Sequence, residues 1–121
     1  AYVWIPSAKT ILGGTGVSWG IHVWTADTQT AESRKQWQET LVNMAAHKPE
    51  RVIPGHYLGT PPAGTGAIDF TRDYLQRFEK ALSVHKDSAG VISTLKKQYP
   101  NLAEESSLEL SAKVNTGEMK W

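Results

Sequence analysis

Arg51-Val52-Ile53-Pro54-Gly55-His56 is the stretch on which the reading of this chain turns. Arg51-Val52-Ile53 has the β-branched character of a short strand, and Pro54-Gly55 is a breaker pair. His56 is therefore expected just beyond a strand's C-terminal end, where open α/β sheets place ligand-binding residues. An imidazole there binds a metal through one ring nitrogen while a neighbouring acceptor holds the other N–H. His56 is thus a candidate metal ligand, and the competing reading is a loop histidine that binds nothing.

Upstream, Thr28 and Thr30 are both suitable N-caps for a helix in which Trp37, Leu41, Met44 and Ala45 recur at helical spacing, ending at His47-Lys48-Pro49. Before it, Tyr2–Ile5 and Thr10-Ile11-Leu12 read as a hairpin across Pro6–Lys9, and four glycines between Gly13 and Gly20 read as a loop. The strand-like run at Ala1–Ile5 has no cap before it, so the sequence is expected to start inside a domain. Downstream, Thr60–Gly66 reads as a loop, and Phe70, Tyr74, Phe78, Leu82 and His85 form one helical stripe. Asp87 is placed to cap a third helix carrying Val91, Ile92, Leu95 and Tyr99, which Pro100 stops, and Asn101 to cap a last one running towards Gly117.

The 121 residues predict one domain, 1–121, of mixed α/β class. Thirteen Lys and Arg against twelve Asp and Glu give a net charge of +1, which argues against a nucleic-acid or anionic-membrane partner. The absence of cysteine removes thiolate nucleophiles, disulfides and Cys-ligated zinc, and leaves the compartment open. No apolar run approaches the ~20 residues that span a bilayer.

The order of strand, Leu12-Gly13-Gly14, glycine-rich segment, helix and Arg51–His56 resembles the second half of the metallo-β-lactamase superfamily, in which a Leu-x-Gly-Asp segment precedes a Pro-Gly-His. Ile21–Thr30 and Gly117–Trp121 look like a branch of uncharacterised hydrolases of that fold, so the resemblance covers essentially the whole chain. It implies half of an αββα sandwich, a small β-sheet with helices on one face and a helical C-terminal region, and metal-dependent hydrolysis using zinc. Two departures qualify it. The family's His-x-His-x-Asp-His signature is not present in these residues, and Gly14 stands where the family has a metal-bridging aspartate.

Catalytic zinc needs about three protein ligands and a water, so His56 alone implies no zinc chemistry for the isolated chain. His22, among Ile21, Val23 and Trp24, is a weaker candidate ligand or proton donor, against the reading of a packed structural histidine. His47 and His85 read as helix-end residues, and Asp27 and Asp69 as turn or helix caps that could otherwise orient a histidine. Ser18 lacks a Gly-x-Ser-x-Gly context, and Thr15-Gly16 lacks the Walker lysine. Five tryptophans could stack sugars or bases but read mostly as core or interface.

A half-sandwich should leave one sheet face bare. The expected cover is a second copy in a two-fold homodimer or a complementing N-terminal half. Two functions follow from the resemblance: a metal-dependent hydrolase fragment, inactive alone, or a non-catalytic homodimeric binding or assembly module.

Overall fold

A computed structural model describes residues 2–121. In chain order it contains β1 (Val3–Ile5), a 3-10 turn (Pro6–Ala8), β2 (Thr10–Trp19), α1 (Ala31–Ala46), β3 (Arg51–Tyr57), α2 (Gly66–Val84), α3 (Ser88–Gln98) and α4 (Glu105–Asn115). The sheet order is β1-β2-β3, with β1 antiparallel to β2 and β2 parallel to β3. The expected hairpin forms, with Lys9 closing its turn at φ 47°. The return to a parallel β3 runs through α1, as parallel pairing requires a crossover.

The expected loop at Gly13–Gly20 and the expected break at Pro54-Gly55 both give way to strand. Glycine makes this possible by removing side chains between two closing backbones. A Cβ at Gly55 would lie 2.1 Å from the Gly14 carbonyl oxygen, which no L-side chain could tolerate. The ladder shifts register between Leu12 and Gly14 and again between Gly14 and Ser18, the irregularity that unencumbered backbone permits. His56 consequently lies within β3, opposite Ser18, and not in a loop beyond it.

Helix α1 takes Thr30, not Thr28, as its cap. The Thr30 hydroxyl accepts from the Ser33 amide, and Ser33 reciprocates with the Thr30 N–H. In α2 the buried positions Ala67, Ile68, Thr71, Tyr74, Leu75, Phe78 and Ala81 recur every three or four residues and face the core. Thr71, outside the apolar stripe expected there, pins the helix to β2. Its hydroxyl accepts from the Ser18 amide at 2.9 Å and lies 3.0 Å from the Ser18 carbonyl.

Asp87 caps α3 through the Gly90 amide as expected. Asn101 does not cap α4. The chain there is drawn into a bridge in which His22 N–H donates to Ala103 at 2.8 Å and Ala103 N–H to Gly20 at 3.2 Å. An extended Ala103 cannot be helical, so α4 begins only after Glu104 at φ 65°.

The two faces of the sheet differ. Ile11 and Val52 are adjacent in register and buried in the core with Leu41, Leu75 and Phe78. One residue further along each strand, Val3, Leu12 and Ile53 stand in register across all three strands and are 53%, 38% and 38% exposed. The helices cover one face and leave an apolar row on the other.

Candidate functional site

A cleft of about 970 Å³ opens at the C-terminal ends of the two parallel strands. One wall is Thr15, Gly16 and Ser18 of β2 with Gly55, His56 and Tyr57 of β3; the facing wall is Ser33, Gln36, Trp37, Thr40 and Met44 of α1. Those five positions form a single helical stripe. It carries no charge, although α1 has Glu32, Arg34, Lys35 and Glu39 on its other sides.

The third wall is Ile21–Thr28, which has almost no regular secondary structure and is nevertheless fixed. Beyond the Ala103 bridge, the Thr25 amide donates to Ser111 at 3.0 Å and Asn115 donates to the Thr25 carbonyl at 3.0 Å. Arg34, only 5% exposed, donates to the Thr28 carbonyl at 2.7 Å, to the Asn115 side chain and to Glu79. One buried guanidinium thus ties this segment to α1, α2 and α4. Nothing in the local sequence around Arg34 marks it as buried; the signal would have been its place next to Leu41 on the inward side of the helix.

His22 lies on that segment and is 1% exposed, with Nδ1 3.0 Å from the Tyr74 hydroxyl. Burial lowers its pKa, with Glu105 opposing and Lys96 reinforcing, so the ring is neutral. Burial raises the Tyr74 pKa well above the ordinary phenol value, and the nearby Tyr99 adds to it, so the phenol keeps its proton. The one acceptor for the Tyr74 proton among the described residues is therefore His22 Nδ1, which leaves the ring proton on Nε2. Nε2 has no partner among the described residues, yet no buried polar side-chain atom there is unsatisfied. Nε2 must then reach open space, and His22 lines the cleft.

His56 is exposed on the opposite wall of the same cleft. The two sequence-selected histidines are thus brought to one site. Asp27 also lines it, but as a clamp rather than a cap: Trp24 Nε1 donates to one oxygen and Trp121 Nε1 to the other, each at 2.9 Å. Asp69 lies in the first turn of α2 and accepts from Thr65, outside the cleft. His47 stacks on Trp4 and bonds Tyr2, and His85 bonds Thr94; both are also outside it. Among the described residues, no three His, Cys, Asp or Glu side chains gather as a metal-holding group, and no helix is long and apolar enough to cross a membrane.

Trp37 and Trp24, read from sequence as core or interface, line the cleft. Trp37 Nε1 donates to the Gly16 carbonyl at 2.8 Å, joining two walls. Comparison with protein-family models, curated proteins and solved structures finds no match to this chain.

Proposed function

We propose that this chain is the C-terminal half of a metallo-β-lactamase-like, metal-dependent hydrolase, inactive alone and dependent on groups from outside these residues. The observation that carries the reading is the convergence of His22 and His56 on one cleft at the C-terminal ends of parallel strands, the position the resemblance assigns to a metal. The bare row Val3, Leu12 and Ile53 supports it, because a second sheet would cover that face.

The residues present do not fit a zinc centre by themselves. His56 offers a ring nitrogen, but His22 presents an N–H, Asp27 already holds two indoles, and Gly14 has no side chain. A second reading, a non-catalytic homodimeric module, is favoured by the same bare face, for which a second copy is the cover available to the chain alone.

Metal analysis and light scattering separate the two. The fragment reading expects no stoichiometric zinc on the isolated chain and zinc-dependent hydrolysis only with an added N-terminal half carrying the His-x-His-x-Asp-His signature, lost in His56→Ala. Failure of every such complementation, together with a stable dimer that Leu12→Lys dissociates, would establish the module instead.

A further inference from the structure

The cleft's chemistry identifies a ligand class without reference to any metal. Among the described residues its lining contains no Lys or Arg, and its two carboxylates are Asp27 and Glu104. A phosphate, sulfate or carboxylate ligand would meet two like charges and no cation, a juxtaposition that costs affinity. A cationic ligand would face the same two carboxylates, and Asp27 holds its two indole N–H donors at one edge of the cleft while the rest of the lining offers a cation no further charge.

Apart from these two carboxylates and the two histidines, the lining is uncharged and amphipathic. Trp24 and Trp37 have committed their N–H groups to Asp27 and Gly16, so the surface they can offer a ligand is ring, suited to an apolar flat face. Around them Gln36 and Ser107 present amide and hydroxyl groups that both donate and accept, and Thr40, whose hydroxyl donates to the Gln36 carbonyl, presents an acceptor. His22 adds the decisive feature: a nearly fully buried side chain, held by Tyr74, whose Nε2–H has no partner among the described residues and opens on the cleft, where an acceptor can meet it. The volume of about 970 Å³ is at the upper end of the roughly 300–1,000 Å³ of small-molecule sites, enough for several rings.

We propose that this cleft binds an uncharged saccharide of two or three sugar rings, with ring faces against Trp24 and Trp37 and a hydroxyl or ring oxygen accepting from His22 Nε2. A sugar combines the two properties the lining demands, a ring of alternating donors and acceptors and an apolar C–H face. The site goes beyond the hydrolase reading and stands whether or not a metal is ever bound.

The test titrates the full chain, in the presence of a chelator, with maltotriose, cellotriose and triacetylchitotriose, reading tryptophan emission and calorimetric heat. Glucose 6-phosphate and spermidine are the charged comparators. The expected result is saturable binding of at least one neutral trisaccharide, tighter than either comparator, with affinity reduced about tenfold in His22→Gln, a loss of one directed hydrogen bond. Gln36 is exposed, so Gln36→Ala leaves the fold intact and should weaken binding even if His22→Gln fails to fold. No saturable binding of any of the three up to millimolar concentration, or wild-type affinity in Gln36→Ala and in any folded His22→Gln, overturns the proposal. Because the chelator removes metal throughout, failure here leaves the hydrolase reading standing, and failed complementation leaves this site standing.

Discussion

Two walls of the cleft are held in opposite ways. Pro54–Tyr57 is strand, paired with β2 at Pro54, His56 and Tyr57 across a register shift, yet from His56 onward its side chains are exposed. Ile21–Thr28 is almost without regular structure, yet Ile21, His22, Val23, Thr25 and Ala26 are buried and its backbone is bonded to α4 and to Arg34. A strand is stabilised by its own ladder and can leave its side chains free for a ligand. An irregular segment has no ladder, so its backbone groups need partners from elsewhere. The side chain oriented by the fold is therefore on the irregular wall: tertiary contacts hold His22, whereas the His56 ring makes no hydrogen bond among the described residues.

The sharpest way to break the comparison is to remove the tie at Arg34. Arg34→Met keeps the volume but leaves Glu79, the Thr28 carbonyl and the Asn115 side chain without their buried donor. Losing one partner of a buried ion pair is expected to lower unfolding stability by about 3–5 kcal/mol, read by urea denaturation. A loss under about 1 kcal/mol, the range of surface ion pairs, would mean that the irregular wall is held by something other than this guanidinium.

A smaller effect is expected where the wall meets its histidine. Tyr74→Phe removes the hydroxyl and leaves His22 Nδ1 unpaired at a cost of about 1–3 kcal/mol, and nitrogen NMR should show the Nε2–H tautomer losing its dominance. Protonation supplies a second probe. The folded pKa of His22 lies below its ordinary 6.5, so at pH values between the two the unfolded chain binds the extra proton. The stabilisation is therefore present above about pH 6.5 and is lost as pH falls through the interval below it. Urea midpoints should decline over that interval in the wild type and decline less in His22→Gln. An unchanged slope in that variant would assign the dependence to other groups.

Legibility in the sequence followed the same division. The hairpin, three helical stripes and the Asp87 cap were readable because periodicity and capping are local. The glycine-rich strand was not, since composition gives Gly13–Gly20 a loop signature and only a neighbouring glycine at Gly55 explains why two backbones close there. The start of α4 was set by a bridge to Ile21, some eighty residues away in sequence, and Thr71 and Arg34 bond partners 53 and 81 residues away. At the site, His22 and His56 could be selected as residue types, but not the tautomer, which depends on Tyr74, nor the uncharged stripe of α1, which gains meaning only when that helix faces β2 and β3.

The smallest effect sharpens the comparison from the other side. His56 is exposed and makes no hydrogen bond through its side chain among the described residues, so His56→Ala is expected to change unfolding stability by no more than about 0.5 kcal/mol. That near-neutrality is informative because His22, on the facing wall, is coupled to Tyr74 and through it to the packing of α2 on the sheet. A site in which one histidine is bound into the fold through Nδ1 and the other makes no side-chain hydrogen bond keeps the whole ring of the second, and Nε2 of the first, available to a ligand. If His56→Ala instead destabilised the chain by more than about 1 kcal/mol, its ring would have to be packed in solution. The β3 wall would then be as fixed as the one opposite.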